Sequence, residues 1–393
     1  MPKRGFRNTN FLAADPFPSP GVYNCIAVAI EFYMVNFPFC VLGIGGYSDA
    51  GKTTLIEKVL SELKGEGFRV GILKHAAHTL QFDREGKDTD RFYMAGADFV
   101  SAHDAHQAFS RYPHSGGLQD HLSGFPRSLD LVLVEGHKNS GLPGIWIVPG
   151  TGGQQKHEVP KHPAKKIVLR DDPRHFGAVM EYIHRELEKF HTHRTIAAGL
   201  LIGGRSLRMG TDKALLRIGG EIFAERAFRM LGVVAAKTVL LGSAELPGPL
   251  GRADRLPDIP GVAGPMAGVL SAFRWAPKSV WIISAVDMPF MDREAWEWVL
   301  SHRRPGVWAV LPLLKKGAKA ETMAACYEPA IFGEVESFAR AGIGTLQELT
   351  RHPKVITPLV PKSLAHAWKN VNTIAEWKRA NRLLKEKSGA TSD

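Results

Sequence analysis

An apolar run that ends abruptly in a glycine- and arginine-rich loop is the feature that most limits how this chain can fold. Residues Ile196 to Ile202 are apolar, Gly203-Gly204 follows at once, and Lys213 closes the loop. We interpret this pattern as a buried strand that brings a loop to the edge of a sheet, where glycines let backbone N–H groups approach phosphate oxygens. Arg205, Arg208 and Lys213 add positive charge for the same anion. The pattern predicts a triphosphate site, but not a Walker loop, because no Gly-Lys-Ser/Thr closes it.

A second phosphate-binding pattern lies near the start of the chain. The apolar run from Phe37 to Ile44 leads into a loop that fits Gly-x-x-x-x-Gly-Lys-Ser/Thr, and an amphipathic helical pattern follows. In this pattern backbone N–H groups wrap the phosphates, Lys52 reaches the β- and γ-phosphates, and the Thr53 hydroxyl binds Mg²⁺. The residues predicted to bind the nucleotide are Gly46, Tyr47, Ser48, Asp49, Ala50, Gly51, Lys52, Thr53 and Thr54.

A carboxylate follows another strand-like run of the first half. Leu129 to Val134 is largely apolar, and Glu135 comes directly after it. An acid at the end of a strand parallel to the phosphate-loop strand can hold Mg²⁺ through water or position an attacking water. We therefore predict that Glu135 belongs to the metal site; the alternative is a strand-end acid that faces solvent.

The second half repeats this arrangement of polar residues at strand ends. Gly242 follows the run Thr238 to Leu241, and Asp287 follows the run Ser279 to Ala285. In doubly wound sheets, such strand ends face the nucleotide. A hard cation that bridges triphosphate oxygens needs a carboxylate there, so we predict that Asp287 holds Mg²⁺.

Composition restricts the class of protein and its partners. The chain has 393 residues, 44% of them hydrophobic, and a formal net charge of +11, which suits anionic partners such as nucleotides or a phosphorylated pterin. No long basic run with interleaved aromatics is present, so a nucleic-acid partner is not predicted. The stretch Val22 to Phe39 holds polar residues and is not predicted to cross a membrane. Three cysteines without a Cys-x-x-Cys pair fit a reducing, cytoplasmic compartment.

The loop of the second half resembles a known signature. Its string Gly-Gly-x-Ser-x-Arg-Met-Gly-x-Asp-Lys is similar to that of the molybdenum cofactor guanylyltransferase (MobA) family, and the resemblance covers about residues 196 to 380. It implies that Arg208, Lys213 and Asp287 are catalytic, and that Asn370 and Asn372 lie near the pterin. Helix capping by Asn372 with Thr373 is the alternative for these asparagines. The residues that the resemblance implies for nucleotide binding are Leu201, Ile202, Gly203, Gly204, Lys213, Gly242, Asp258 and Asp287.

The first half resembles a second family. The phosphate loop, Lys74-His75, the segment from Gly86 to Asp90 and the segment from Val134 to Gly136 are together similar to MobB proteins, which are small P-loop GTP-binding adaptors of molybdenum cofactor biosynthesis. The resemblance covers about residues 39 to 150. It implies that the phosphate loop binds GTP and that Glu135 is its acid.

These patterns predict a fusion of two doubly wound α/β domains. We expect an extension over residues 1–36, a P-loop NTPase-like domain over 37–192 and a Rossmann-like nucleotidyltransferase domain over 193–393. The resemblances imply transfer of GMP from Mg²⁺-bound GTP to molybdenum-bound molybdopterin, with release of pyrophosphate. Apo-molybdoenzymes or cofactor-insertion proteins are expected as further partners, and a homodimer as the assembly.

Three alternative functions fit the same residues. The second half could be a cytidylyltransferase for the same cofactor, because the choice of base depends on loops that the sequence does not resolve. It could transfer nucleotides to a sugar phosphate, although the longer Gly-x-Gly-Thr-Arg loop typical of such enzymes is missing. The protein could also be a cofactor-delivery scaffold with an inactive transferase half, against which the intact Lys213 and Asp287 argue.

Overall fold

The first half of the chain is built on a five-stranded parallel sheet. The computed structural model describes residues 36–76, 83–113, 116–137, 140–148, 165–170, 172–203, 213–218 and 220–389. The sheet has the order β2-β5-β1-β6-β7, and β3 and β4 form a separate hairpin. The strands of this half are β1 (Cys40–Gly46), β2 (Val70–Lys74), β3 (Val100–His103), β4 (Ala108–Arg111), β5 (Leu131–Glu135), β6 (Gly144–Val148) and β7 (Lys165–Leu169).

Helices cover the faces of this sheet. They are α1 (Lys52–Gly65), α3 (Leu118–Ser123) and α4 (His175–Thr192), whereas α2 (Asp88–Met94) buries no residue and packs beside the β3–β4 hairpin. Every residue of β1 is buried, as expected for the central strand of a parallel sheet, which is covered on both faces. Helix α4 turns Val179, Ile183 and Leu187 toward the core, because these residues recur at helical spacing. The apolar runs of the sequence thus become the central strands that carry the phosphate loop and Glu135.

The second half is built on a seven-stranded sheet with the order β12-β11-β8-β13-β15-β14-β16. Its strands are β8 (Ile196–Leu201), β11 (Lys237–Leu241), β12 (Arg255–Leu256), β13 (Val280–Ala285), β14 (Ala309–Val310), β15 (Ala324–Tyr327) and β16 (Val355–Ile356), and β9 (Arg217–Ile218) and β10 (Glu221–Ile222) form a hairpin. The helices are α5 (Phe223–Leu231), α6 (Pro265–Trp275), α7 (Arg293–Ser301), α8 (Phe332–Arg340) and α9 (Ile374–Gly389).

Both halves therefore have the predicted α/β architecture, with one departure in the second sheet. Strands β12, β11, β8 and β13 run parallel, but β15 runs antiparallel to both β13 and β14. The antiparallel strand reverses the chain beside β13. It therefore brings the residues that precede Ala324 to the same sheet edge as Asp287.

The link between the halves is short. Helix α4 ends at Thr192 and β8 begins at Ile196. The predicted domain boundary near residue 193 stays a prediction, and nearly all of the predicted extension, residues 1–35, lies outside the described residues. Among the described helices, none combines the length and the apolar character that a membrane crossing requires.

A buried group of charged side chains lies where the two halves meet. Arg303 Nε donates to Glu328 Oε1 at 2.7 Å, and the two side chains are only 8% and 6% exposed. Arg303 also donates through Nη2 to the backbone oxygen of His191 in the first half, at 3.1 Å. His191 Nε2 lies 3.6 Å from Glu328 Oε1. Burial alone would raise the pKa of Glu328, but Arg303, His191 and Arg194 hold it below its usual range.

His191 should make the stability of this junction depend on pH. Burial lowers the pKa of His191 from 6.5 to about 4. Between these values the unfolded chain binds a proton that the folded chain does not, so the free energy of unfolding falls as the pH drops from about 6.5 to about 4, by on the order of 3 kcal/mol. His191→Gln should remove this pH-dependent loss in urea unfolding measured between pH 7.5 and pH 4.5.

The neighbouring His193 provides a matched control, because it is exposed. His193→Gln should leave the pH dependence of the unfolding free energy as it is in the unsubstituted chain. If His191→Gln also leaves that dependence unchanged, the buried imidazole is not its source.

Two candidate nucleotide sites at the sheet edges

The predicted phosphate loop joins the end of β1 to the start of α1. Gly46 ends β1, and a Cβ built on it would lie 2.9 Å from the backbone oxygen of Ile147. Gly51 caps α1 with a φ of 83°, a left-handed conformation that favours glycine. Thr53 and Thr54 are exposed in the first turn of α1. The loop therefore has the strand–loop–helix context that phosphate binding at a helix N-terminus requires.

Lysine and arginine side chains flank this loop. Lys52 Nζ donates to the backbone oxygens of Gly46, at 3.3 Å, and Tyr47, at 2.6 Å, so its ammonium lies within the loop. Arg170, which follows β7, donates through Nη1 to the backbone oxygen of Asp49 at 3.3 Å. The sequence analysis did not assign a role to Arg170. Its position directly after an apolar run, as for Glu135, was the available signal.

Glu135 lies at the same edge as the loop, as predicted. It ends β5 opposite Ile44 of β1, and its side chain is 12% exposed. Its carboxylate pairs with Lys74 Nζ at 3.4 Å. The rings of His75 and His137 lie beside this pair with their centroids 4.4 Å apart. The metal role of Glu135 stays a prediction, and a cation there would meet the ammonium of Lys74 as a competitor.

The edge of the second sheet brings together five residues predicted to bind nucleotide. Leu201 ends β8, and Ile202 N donates to the backbone oxygen of Leu241 at 3.0 Å. Gly242 has a φ of 114°, and a Cβ on it would lie 3.3 Å from Gly203 N. A Cβ on Gly203 would in turn lie 4.0 Å from Asp258 Oδ2. Three chain segments thus approach within contact distance. The predicted loop residues Gly204, Arg205 and Arg208 lie outside the described residues.

The predicted catalytic residues Lys213 and Asp287 are in contact at this edge. Lys213 Nζ donates to Asp287 Oδ2 at 3.3 Å, and it also donates to Asn372 Oδ1. The side chains of Lys213 and Asp287 are 20% and 21% exposed, which leaves room for solvent or a ligand. The backbone N–H of Val371 donates to the backbone oxygen of Asp287 at 2.9 Å, which holds the asparagine segment against the end of β13.

Of the two interpretations of the asparagine segment, capping applies to Thr373 and not to Asn372, and the pterin role stays a prediction. Thr373 caps α9, because its Oγ1 accepts from Glu376 N at 3.2 Å. Glu376 in turn accepts the N–H groups of Asn372 and Thr373, and these bonds, the one from Asn372 first, hold its pKa below its usual range. The Asn372 side chain is therefore not the cap and contacts Lys213. Asn370 is exposed two residues earlier.

A further carboxylate, Glu321, lies near enough to Asp287 to feel its charge. Ser284 pairs with Ala324 in the antiparallel ladder of β13 and β15, and Ala285 N donates to the Met323 oxygen at 3.0 Å. The antiparallel pairing thus brings the segment that precedes Ala324 toward the edge that carries Asp287. Burial, and then the charge of Asp287, raise the pKa of Glu321. The sequence analysis assigned no role to Glu321, because the antiparallel pairing that brings its segment to the site leaves no local pattern.

The electrostatics of this edge suit a phosphate ligand with a bound cation. The ammonium of Lys213, the carboxylate of Asp287 and the amide of Asn372 meet at the edge that carries Gly203 and Gly242, and Glu321 is near enough for the charge of Asp287 to raise its pKa. Within the described residues, no group of three or more His, Cys, Asp or Glu side chains could hold a metal by itself. Mg²⁺ does not require one, since it is commonly bound by one or two carboxylates together with substrate phosphates. The carboxylates of Asp287 and Glu321 are oxygen donors of that kind.

Comparison with known proteins separates the chain into two parts. The family model described as MobB, molybdopterin guanine dinucleotide synthesis protein B, matches residues 41–169. The model described as MobA-like NTP transferase domain matches residues 198–370. The two matches do not overlap, and each contains one of the two sheet edges described above.

Individual relatives divide in the same way. The molybdopterin-guanine dinucleotide biosynthesis adapter protein of Haemophilus influenzae is 44% identical over 116 residues, 29% of this chain and 65% of that protein. The adapter of Escherichia coli K12 is 32% identical over 30% of this chain and 71% of that protein. A probable molybdenum cofactor guanylyltransferase of Opitutus terrae is 32% identical over 47% of this chain and 91% of that protein. The chain spans slightly under two thirds of the Haemophilus adapter.

Proposed function

The chain belongs to the MobB family over residues 41–169 and to the MobA-like nucleotidyltransferase family over residues 198–370, and on this premise we propose that it makes a guanine dinucleotide form of the molybdenum cofactor. The second half transfers GMP from GTP to molybdenum-bound molybdopterin. The first half binds GTP as an adaptor. The observation that carries the proposal is the contact of Lys213 with Asp287 and Asn372 beside the glycines of the same sheet edge.

The proposed reaction exchanges one phosphoanhydride bond for another. An oxygen of the terminal phosphate of the cofactor attacks the α-phosphorus of GTP, a new P–O bond forms, and the bond from the α-phosphorus to the bridging oxygen breaks. The electron pair of that bond leaves with pyrophosphate. An anionic nucleophile must approach an anionic triphosphate, so the main task of the protein is to neutralise and align charge.

The residues at the second edge divide this task. The Lys213 ammonium lies where it can meet phosphate oxygens, and Arg208 is proposed to add charge from the preceding loop. Backbone at Leu201, Ile202, Gly203, Gly204 and Gly242 allows close approach of the nucleotide, and Asp258 contacts it. Asp287, together with the nearby Glu321, would hold Mg²⁺, which supplies positive charge to the triphosphate when bound. Asn372 and Asn370 are proposed to face the pterin.

Glu321 offers a test of the proposed cation site. In a Lys52→Ala background, which is expected to remove nucleotide binding from the phosphate loop, Glu321→Gln removes one negative charge near Asp287 at nearly constant volume, so we expect the affinity of the GTP-bound protein for Mn²⁺, used as a paramagnetic probe of the Mg²⁺ site, to fall about tenfold. Electron paramagnetic resonance measures this affinity directly. Glu348→Gln makes the same change at an ion pair elsewhere in this half, with Arg351, and should leave Mn²⁺ binding unchanged. Equal Mn²⁺ affinity in both variants would remove Glu321 from the site.

The proposed function is tested by following label from α-labelled GTP into molybdopterin. The full chain, GTP, Mg²⁺ and molybdenum-bound molybdopterin should give a labelled dinucleotide and unlabelled pyrophosphate, and excess CTP should not compete. Label transfer from α-labelled CTP in place of GTP would make the protein a cytidylyltransferase. Absence of transfer from either nucleotide would contradict the proposal and favour a delivery scaffold. A cytoplasmic location, a homodimer and recipient molybdoenzymes stay predictions.

A further inference from the structure

A carboxylate at the start of β5 joins the two halves. Asp130 of the first half accepts the indole N–H of Trp308 on Oδ1 at 2.9 Å and the ammonium of Lys354 on Oδ2 at 2.8 Å, and both partners belong to the second half. The backbone N–H of Arg69 donates to the same Oδ2 at 2.7 Å. The side chains of Asp130 and Lys354 are 7% and 12% exposed. This contact is therefore a buried, fully hydrogen-bonded link.

A second set of contacts lies at the starts of β1 and β8. Arg194, two residues before β8, donates to the backbone oxygens of Pro38, two residues before β1, at 3.1 Å, and of Lys278, two residues before β13, at 2.8 Å. Arg303, which pairs with Glu328, also links the halves, because its guanidinium donates to the backbone oxygen of His191. Partial burial of Arg194 lowers its pKa to about 10, which still leaves the guanidinium charged near neutral pH.

All these contacts belong to one edge of each sheet. In the first sheet they involve residues that precede β1, β2 and β5. In the second they involve residues that precede β8, β13, β14 and β16, and Glu328, which follows the antiparallel β15. Ring contacts agree, because the Arg127 guanidinium lies over Phe332 at 5.3 Å and that of Arg69 over Trp308 at 5.5 Å. The two halves therefore meet through the edges at which their parallel strands begin.

The sheet edges that carry the two candidate nucleotide sites lie at the ends of these strands, whereas the interface lies at their starts. The phosphate loop follows the last residue of β1, and Gly203, Gly242 and Asp287 follow the ends of β8, β11 and β13. Strands rise ~3.3 Å per residue, so the seven residues of β1 span ~23 Å and the six of β8 ~20 Å. Because the strands of both halves begin at the interface and lead away from it, each nucleotide edge lies at the far end of its own half, and the sum of the two lengths, ~40 Å, sets the upper scale of their separation.

We infer that one chain holds its two nucleotide sites at opposite ends of the molecule, fixed there by the buried interface. Each site then binds its own nucleotide at the same time, and neither supplies residues to the other within one chain. The donor GTP of the transferase half is a different molecule from the GTP of the phosphate loop. The nucleotide part of this inference rests on the proposed function, whereas the separation of the edges does not.

The separation can be measured with spin labels. Glu57 in α1 and Glu245 after β11 are exposed, and neither belongs to the proposed sites. Cys40 and Cys326 are buried, so labels can be placed by Glu57→Cys and Glu245→Cys in a Cys25→Ser background. Double electron–electron resonance should give a main distance above ~30 Å, with or without a non-hydrolysable GTP analogue. A main distance below ~30 Å in either condition would overturn the inference. Dilution with unlabelled chain should leave the distance unchanged.

Independence of the sites is measured by equilibrium binding of the same analogue. The unsubstituted chain should bind two molecules, and Lys52→Ala and Lys213→Ala should each bind one. The affinity of the remaining site should change by less than about twofold, because distant sites without shared partners act additively. If the unsubstituted chain binds only one molecule and each substitution abolishes its binding, the two loops share one site and the inference is refuted. If the spin-label distance is long but the transfer assay with α-labelled GTP gives no labelled dinucleotide, the proposed function fails and the separation of the edges stands.

Discussion

Replacing Lys213 with alanine should lower guanylyl transfer about 10³-fold while the protein stays folded. The ammonium of Lys213 is the described positive charge in contact with Asp287, and charge-stabilising groups of this kind contribute about 10²–10³-fold or more to phosphoryl transfer. Its side chain is 20% exposed and makes no part of the apolar core, so truncation should cost little stability. The label-transfer assay measures the rate, and the urea unfolding midpoint checks the fold.

A lysine elsewhere in the same half controls for loss of charge. Lys237 begins β11, at the end of the strand opposite Gly242, and pairs with Asp254 on the surface. Lys237→Ala should leave the transfer rate within about twofold of that of the unsubstituted chain, because surface substitutions away from a site have small effects. Near-normal turnover in Lys213→Ala would remove this residue from the reaction.

Asp287 should contribute to guanylyl transfer together with Lys213 rather than independently of it. Asp287→Asn keeps the volume of the side chain but removes the charge that faces Lys213, and we expect a loss of similar size. Groups that act together are not additive, so Lys213→Ala combined with Asp287→Asn should be little slower than either variant alone. Multiplied losses would mean that the two side chains contribute independently, which their 3.3 Å contact argues against.

The sequence was sufficient to predict the strand ends of both sites. Apolar runs followed by glycine or a carboxylate became β1, β5, β8 and β13. A parallel strand that is buried on both faces requires apolar residues at successive positions, so its sequence is recognisable. The structure brings Asp287 to Lys213, which lies 74 residues away along the chain, since parallel strands end at a common edge. The catalytic and metal roles stay predictions, and those of Gly204 and Arg208 concern residues outside the described ranges.

The role of Glu321 and the interface could not be predicted in this way. Glu321 lies near Asp287 because β15 runs antiparallel to β13. The sequence of β15 carries no local pattern that distinguishes this direction from a parallel one. Asp130 lies within a run that was interpreted as one buried strand, although its carboxylate is what binds Trp308 and Lys354, 178 and 224 residues later. Contacts of such sequence separation leave no periodic signal, so the arrangement of the two halves required the structure.

Removing Arg303 should cause the largest loss of stability expected from the interface. Its guanidinium neutralises Glu328 where both side chains are almost fully buried, and removal of one partner of such a pair costs about 3–5 kcal/mol because it leaves an uncompensated charge. Arg303→Met retains much of the apolar volume and removes the charge. Urea unfolding, followed by tryptophan fluorescence, should show this loss.

A double substitution separates the cost of the stranded charge from the value of the pair. Glu328→Gln in the Arg303→Met background removes the unpaired carboxylate, so the double variant should be more stable than Arg303→Met alone. Arg293→Met provides the surface control, because its pair with Glu297 is 70% and 53% exposed and should be worth at most about 1 kcal/mol. If Arg303→Met costs no more than Arg293→Met, the buried pair does not hold the halves together. The fixed separation of the two nucleotide edges would then depend on Asp130 and its partners alone.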